Sequence, residues 1–348
     1  YHFSTMLAHI NEVGGRVIEL RRDEALELKS DNPFKGNIDI DKLVKSIEEV
    51  GAQNVAYIRM EASTNLIGGQ PFSIRNMMDV RQVADKYGIM LVLDASLLGE
   101  NAYLVKQREE QWKENSMADI IKMMTGLADL VYFSARKLTS SRGGGICTNN
   151  PKLYKQMEPL IPLFEGFLTY GGMSIREIEA MAVGIYETID ETMISQSVDF
   201  IKYCVESAVK AGIPMVTPPG VLGAHVNAGE FCAHIPQNEY PAGALAAAFY
   251  ICSGVRGMER GTMSSVRDEN GVEIPADVEL MRLAFPRRVF TLSQTKYVVD
   301  RLAWLYENRH LIGGLKFTYE PSVLRFFMGE LEPLTDWPSR LVEKFRKD

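Results

Sequence analysis

An entirely apolar run, Ile89–Leu93, ends in Asp94 and follows a helical pattern that Gly88 closes. A strand without polar residues is buried on both faces, as in a parallel sheet that is covered by helices. Short apolar runs alternate with helical patterns through the first half of the chain, which predicts βα units and a largely parallel sheet. The other predicted elements of this half are strands at 54–58, 130–133 and 146–148 and helices near 74–87 and over 102–126.

The second half of the chain predicts an α+β arrangement. Its apolar segments are separated by loop-like stretches such as Thr217–Gly220, because proline and glycine interrupt regular structure. Helices are predicted over 195–211 and 242–252 and, as the final one, near 294–307, with a polar loop at 267–271. We therefore expect a large domain of residues 1–195 and a smaller C-terminal domain of residues 196–348.

The composition argues against several classes of protein. With 348 residues, 46% of them hydrophobic and 24% charged, the chain can bury a large core. Its net charge of −7 argues against a nucleic-acid-binding surface, and its longest apolar runs are shorter than the roughly 20 residues of a membrane span. Four scattered cysteines and five histidines without ligand spacing indicate neither a disulfide framework nor a metal site. We expect a cytoplasmic protein with no nucleic-acid or membrane partner.

Three polar residues follow closely on predicted strand ends. Asn65, Asp94 and Lys137 each come shortly after an apolar run. Because ligands of open α/β sheets bind outside the carboxyl ends of the strands, we expect an amide, a carboxylate and an amine to converge on one crevice.

The order of Asp94 and Lys137 suggests pyridoxal phosphate. This cofactor needs an amine for a Schiff base and an anion that keeps its pyridine nitrogen protonated. For two lone residues the plainer alternative also stands, in which Asp94 caps the following segment and Lys137 is solvated. Gly143–Gly145 is read as a turn rather than a phosphate loop, since the run lacks the GxxxxGK[ST] pattern.

Longer strings carry a resemblance over most of the chain. It resembles the tyrosine phenol-lyase and tryptophanase family of pyridoxal-phosphate β-eliminating lyases, which have the aspartate aminotransferase-like fold (fold type I). The strings are YHFSTMLAH at 1–9, ASTNLIGGQPFS at 62–73, LVLDAS at 91–96, FSARK at 133–137, LTYGGMSIREIEAMAVGI at 168–185, GVRGMERG at 254–261, MRLAFPRR at 281–288 and GLKFTYEPSVLRFF at 314–327.

The resemblance implies a cofactor site. It makes Lys137 the Schiff-base lysine and Asp94 the partner of the pyridinium. The remaining cofactor contacts that it implies are Ser134 and Arg136 on the phosphate side, Asn65 at the ring oxygen and Phe3 over the ring face.

The substrate site is also implied by the resemblance. The α-carboxylate would bind Arg282 rather than Arg287, since a guanidinium fork suits a carboxylate. The side-chain pocket would be formed by Ser4, Met258, Arg260, Phe326 and Phe327. Arginine in MERG and paired phenylalanines are typical of the tyrosine-cleaving members, so tyrosine is the favoured substrate. Cleavage of tryptophan stays open as an alternative.

Three departures from the family pattern bear on activity. The family's segment before YHFST, with a phosphate-binding glycine and a tyrosine acid, is not in this sequence. Leu97 stands where the family has an arginine near the cofactor, and Arg142 stands where relatives have an asparagine that helps bind a monovalent cation. We expect Arg142 to replace that potassium ion. An inactive homologue is the competing hypothesis, and the family's tetramers imply a homo-oligomer.

Overall fold

The computed structural model describes residues 4–265, 267–268, 270–321 and 325–348, with the side chains of residues 4 and 5 left out. Four strands form the sheet of the first half: β1 (Ile58–Glu61), β2 (Leu91–Asp94), β3 (Leu130–Ser134) and β4 (Gly144–Cys147). The helices of this half are α1 (Ser4–Glu12), α2 (Ile40–Val50), α3 (Ile74–Tyr87), α4 (Leu98–Arg108), α5 (Met117–Gly126), α6 (Ala135–Leu138), α7 (Pro151–Met157), α8 (Leu160–Phe164) and α9 (Ile175–Glu187).

The first sheet has the order β1-β2-β3-β4. The pairs β1/β2 and β2/β3 are parallel, and β4 is antiparallel to β3. All of β2 is buried, as its apolar sequence predicts. The parallel register places Glu61, Asp94 and Tyr132 side by side across three strands. The carboxyl ends of β1 to β3 therefore form one edge, which is where the candidate site lies.

Local signals fix helix α3 at the predicted residues. The Ser73 hydroxyl accepts a hydrogen bond from the Asn76 N–H at the first turn, and Gly88 closes the last turn in the left-handed conformation, at φ 65°. Such a hydroxyl cap and a left-handed glycine satisfy backbone groups that the helix itself leaves unpaired. The prediction of a helix over residues 74–87 is confirmed.

Three predictions for this half are wrong in their bounds. Strand β4 begins at Gly144 rather than at residue 146, so two glycines of the predicted turn Gly143–Gly145 pair with β3. Strand β1 runs over 58–61 rather than 54–58, because residues 52–54 form a turn of 3-10 helix that precedes it. The single helix predicted over 102–126 is two helices, α4 and α5. Glu109 leaves the helical conformation, at φ −102° and ψ 113°, and Ser116 caps the new helix through the Asp119 N–H.

The second half begins with the long helix α10 (Glu191–Lys210). Its strands are β5 (Gly223–Asn227), β6 (Met258–Arg260), β7 (Leu280–Ala284), β8 (Leu315–Tyr319) and β9 (Glu330–Pro333). Its other helices are α11 (Ala228–Phe231), α12 (Pro241–Ser253), α13 (Leu292–Glu307), α14 (Arg325–Met328) and α15 (Trp337–Lys347). The predicted final helix, α13, is followed by α15, so it is not the last one.

The strands of this half form two further sheets. One is antiparallel with the order β5-β7-β6, and the other pairs β8 with β9. In the first of these, register places His225 and Met258 on either side of Arg282. The central strand β7 thus presents an arginine between two neighbours on the same face.

Two large apolar cores underlie the sheets. One comprises buried residues between Phe34 and Ile194, and the other comprises buried residues between Ile201 and Leu341. Helix α10 contributes to both, since Ile194 packs in the first and Ile201 in the second. The predicted boundary at residue 195 falls within α10, and the division into two domains stays a prediction.

Within the residues that the structure describes, no helix is both long and apolar enough to cross a membrane. The cytoplasmic location stays a prediction.

Candidate active site

The carboxyl ends of β1 to β3 bring three of the predicted site residues to one edge. Asp94 is the last residue of β2, Asn65 follows β1, and Ser134 ends β3. The Ser96 hydroxyl accepts the Ser134 N–H at 3.1 Å, while the Ser96 N–H donates to the Asp94 carboxylate at 3.0 Å. Ser96 therefore ties the end of β2 to the end of β3 and fixes one oxygen of Asp94.

The second oxygen of Asp94 is held by Arg59. The Arg59 Nη2 lies 2.6 Å from Asp94 Oδ2 and 3.2 Å from Glu61 Oε2, and its Nε donates to the Tyr132 hydroxyl at 2.7 Å. All of these side chains are largely buried. The prediction of a strand over 54–58 misses Arg59 and Glu61. Their alternation with the apolar residues Ile58 and Met60 is the period-two signal that could have found them.

Arg282 lies on the central strand of the small antiparallel sheet, on the face that meets this edge. Its Nη2 lies 2.7 Å from the Met258 sulfur, and no carboxylate among the described residues is within ion-pair distance of it. Burial lowers the pKa of Arg282 to about 10. On the neighbouring strand, burial and then the positive charge of Arg282 lower the pKa of His225 to about 3, so this imidazole stays neutral.

Asn65 and Arg282 join the two sheets. Arg282 Nη1 donates to Asn65 Oδ1 at 2.6 Å. The Nδ2 of Asn65 and the Nε of Arg282 are buried, and neither has a hydrogen-bond partner among the described residues. Buried donors are seldom left without an acceptor. These two fit the oxygens of a bound ring or carboxylate, and with Asp94 they fit pyridoxal phosphate.

The predicted lysine lies on the short helix α6, directly after β3. Lys137 is half-buried, whereas Arg136 beside it is exposed. Arg142, the predicted substitute for a cation, is also exposed, and its Nη1 lies 4.0 Å from Glu177 Oε1. Leu97 packs with Leu104, Val198 and Val221 in a small apolar cluster.

A buried ion pair holds the end of α6. Arg287 donates to both carboxylate oxygens of Glu100, at 2.6 and 2.8 Å, and to the Leu138 carbonyl at 2.8 Å. Its guanidinium is thus filled by a carboxylate and a carbonyl, whereas the guanidinium of Arg282 contacts the Asn65 amide oxygen and the Met258 sulfur. The assignment of the substrate carboxylate to Arg282 rather than Arg287 stays a prediction.

Four of the residues predicted for the side-chain pocket lie on β6 and α14. Met258 and Arg260 are half-buried and share the face of Arg282. Phe326 and Phe327 pack edge to face with ring centroids 4.9 Å apart.

Arg325 is the first residue of α14, directly before these rings, and the sequence predicts no role for it. This buried residue donates to the carbonyls of Thr262 and Ser265, which follow Arg260. Arg325 thereby ties α14 to the end of β6. Phe3 and the side chain of Ser4 lie outside the described residues.

Known proteins similar to this chain form a consistent group. The sequence model named beta-eliminating lyase matches residues 1–301. The tyrosine phenol-lyase of Pasteurella multocida is 41% identical over 334 residues, which cover 95% of this chain and 73% of that protein. The tyrosine phenol-lyase of Clostridium tetani is 39% identical over 333 residues, covering 95% and 72%.

Solved structures with low sequence identity share the fold. A serine palmitoyltransferase from S. paucimobilis superposes with a TM-score of 0.52 at 14% identity, covering 79% of this chain and 60% of that one. The SepCysS–SepCysE N-terminal domain complex gives 0.51 at 12% identity, covering 88% and 73%. The predicted α/β fold of type I is confirmed. Together with the family match over residues 1–301, these similarities show that the chain belongs to the beta-eliminating lyase family.

Proposed function

We propose that this chain catalyses the pyridoxal phosphate-dependent β-elimination of L-tyrosine, with water, to phenol, pyruvate and ammonia. The observation that carries the proposal is the contact between Arg282 and Asn65. In this contact a half-buried arginine without a carboxylate partner among the described residues meets Asn65, which follows β1 at the edge where β2 ends in Asp94. The tyrosine phenol-lyases at about 40% identity support the choice of substrate.

The strand-end residues would hold the cofactor. Lys137 would bind its aldehyde carbon, Asp94 its ring nitrogen and Asn65 its ring oxygen, with Ser134 and Arg136 on the phosphate side. When bound, pyridoxal phosphate supplies an electron sink for the α-carbon of an amino acid.

Each chemical task then falls to a residue of this chain. Arg282 would bind the α-carboxylate through its guanidinium fork, and its contact with Asn65 fixes the orientation of that fork. Lys137 would take the α-proton as the general base. Arg260, with Ser4, would stabilise the non-aromatic keto form of the phenol ring, which exists only on the way to cleavage. These contacts raise the rate because they bind the keto form more tightly than they bind the ground-state substrate.

The cofactor part of the proposal is tested with Lys137→Ala. The native chain is mixed with pyridoxal phosphate, and unbound cofactor is then removed. The protein should retain the visible absorbance of the bound cofactor. Lys137→Ala should lose that absorbance, and Lys152→Ala, a change of another lysine in α7, should keep it. A native chain that retains no cofactor would favour the hypothesis of an inactive homologue.

The substrate part is tested by pyruvate release from tyrosine and from tryptophan. Tyrosine should be cleaved faster, and Arg260→Met should lower the rate with tyrosine by about 10- to 100-fold, the effect of losing one interaction of roughly 1.5–3 kcal/mol. The exposed Arg256, two residues before Met258, is the matched control and should tolerate the same change. Faster release from tryptophan would assign the tryptophanase alternative instead.

Exposed apolar side chains between residues 160 and 189 support a homo-oligomer. Leu163, Phe164, Phe167, Ile175 and Tyr186 are each between 67% and 74% exposed. Contiguous exposed apolar surface is typical of protein–protein contacts. Sedimentation of the native chain should give a mass above that of the monomer, and the double change Phe164→Asp and Tyr186→Asp should shift it toward the monomer. A native chain that sediments as a monomer would contradict an oligomer.

A further inference from the structure

A buried group of three charged side chains, which includes Asp94, lies at the carboxyl edge of the first sheet. Arg59, Glu61 and Asp94 have side chains that are 4%, 10% and 12% exposed. The register aligns Glu61 with Asp94 and Asp94 with Tyr132, and Arg59 precedes Glu61 by two residues on the same strand. Since side chains of a strand alternate between faces, all four project from one face of the sheet.

One guanidinium nitrogen serves both carboxylates. Arg59 Nη2 lies 2.6 Å from Asp94 and 3.2 Å from Glu61. The two acceptor oxygens are therefore no farther apart than the sum of these distances. Two carboxylates this close in a buried setting cannot both remain ionised without a compensating positive charge. Burial alone would lower the pKa of Arg59. Glu61, Tyr132 and Asp94 together outweigh burial and raise this pKa above its ordinary value.

The charged group also reaches the substrate side of the site. Glu61 Oε1 accepts the backbone N–H of Asn65 at 3.1 Å, and the Asn65 side chain accepts from Arg282. Hydrogen bonds therefore connect Asp94 to Arg282 through Arg59, Glu61 and Asn65. A displacement of Arg59 would therefore change the positions of both Asp94 and Arg282.

We propose that Arg59 is a positioning residue that fixes the Asp94 carboxylate as the acceptor for the cofactor's ring nitrogen, with Glu61 as its counter-charge. This inference rests on the proposed function. The groups facing Asp94 are Arg59 and Glu61 from β1, Tyr132 from β3 and the Ser96 N–H, and Lys137 lies on the same edge. Burial raises the pKa of Tyr132, so its phenol stays neutral near neutral pH.

The test measures the dissociation constant of pyridoxal phosphate by fluorescence titration at pH 6, 7 and 8. The dissociation constant of each variant is divided by that of the native chain at the same pH, because the cofactor itself titrates in this range. In Arg59→Met the two carboxylates lose the cation between them, and the proton that the pair then takes up as pH falls competes with the cofactor's ring nitrogen for the negative charge of the pair. The ratio should then rise about tenfold or more from pH 8 to pH 6, the limit being tenfold per pH unit.

Two further variants separate this role from a structural one. Arg59→Lys keeps the charge but loses the fork, so its ratio should exceed one and stay constant with pH. The double variant Arg59→Met with Glu61→Gln leaves one carboxylate and removes the need for compensation. Its ratio should also be constant with pH, within about threefold. Circular dichroism of each variant reports folding. If Arg59→Met does not fold, the double variant should fold and bind cofactor, because it contains no uncompensated pair.

The outcomes distinguish the inference from the proposed function. A constant ratio for Arg59→Met would overturn the role of Arg59 while leaving cofactor binding intact. A double variant that keeps the pH-dependent ratio, or that fails to fold, would overturn it as well. No cofactor binding by the native chain at any pH would overturn the proposed function itself.

Discussion

Arg282 in the small antiparallel sheet donates a 2.6 Å hydrogen bond to the amide oxygen of Asn65, which follows the first strand of the parallel sheet and lies 217 positions earlier. The contact sets the distance between the residues proposed for the substrate carboxylate and for the cofactor ring. Arg282 Nε and Asn65 Nδ2 remain available to a ligand within the described part of the chain.

Replacing Arg282 should weaken substrate binding most. A hydrogen-bonded charge is worth about 1.5–3 kcal/mol, so Arg282→Gln should raise KM for tyrosine roughly 10- to 100-fold. Arg282→Lys should recover part of the loss, since lysine keeps the charge without the fork. Steady-state pyruvate release measures both. Arg288→Gln is the control, and an unchanged KM in Arg282→Gln would remove Arg282 from the carboxylate site.

The pair of Arg287 and Glu100 should be important for stability. Both side chains are buried, at 7% and 4% exposure. Arg287→Met should lower the free energy of unfolding by about 3–5 kcal/mol, because it leaves a buried carboxylate uncompensated. Arg288→Met breaks the more exposed pair with Glu187 and should cost less than about 1 kcal/mol. Urea unfolding measures the difference.

Removing both partners tests the cause. The double variant Arg287→Met with Glu100→Leu should regain most of the stability, since no charge is then left unpaired. If it is as unstable as Arg287→Met, the loss comes from the Leu138 carbonyl or from packing instead.

Gly184 on α9 allows close packing against the segment that follows Lys137. A methyl group at residue 184 would overlap the Thr139 carbonyl oxygen, and Thr188, directly after this helix, donates to the Leu138 carbonyl at 2.9 Å. Gly184→Ala should therefore cost about 1–3 kcal/mol of stability and weaken cofactor binding. Gly126→Ala on α5 faces open space and should be neutral or stabilising by up to about 1 kcal/mol. Thermal unfolding with and without cofactor tests both; equal effects would contradict the packing argument.

Glu259 should make stability depend on pH. It is 3% exposed, and burial, with the negative charge of Glu279, raises the pKa of Glu259 to about 7. Between about pH 4.5 and 7 the folded chain then binds more protons than the unfolded chain, so stability falls as pH rises. The loss over this window should be on the order of 2 kcal/mol relative to Glu259→Gln. Denaturant unfolding at pH 5, 6, 7 and 8 measures it, with Glu206→Gln as the exposed control. Parallel curves for native and Glu259→Gln would refute the shift.

The sequence could specify those features whose causes lie within a few neighbouring residues. Helix α3 begins and ends as predicted because Ser73 and Gly88 act on the backbone beside them. The apolar run before Asp94 predicts a buried strand for a similarly local reason, since a strand without polar residues has no face to present to water. The longer strings added the family and its fold, which the comparisons confirm.

Contacts between distant segments were decided only by the tertiary structure. Arg59 becomes the partner of Asp94 because the parallel register of β1 and β2 sets them side by side, and no local pattern contains that register. Likewise Arg287 and Arg282 occur in the same string, yet one fills its fork with Glu100 and the other contacts Asn65. Side chains of the same chemical type acquire different roles because burial and the charges that folding brings near them differ.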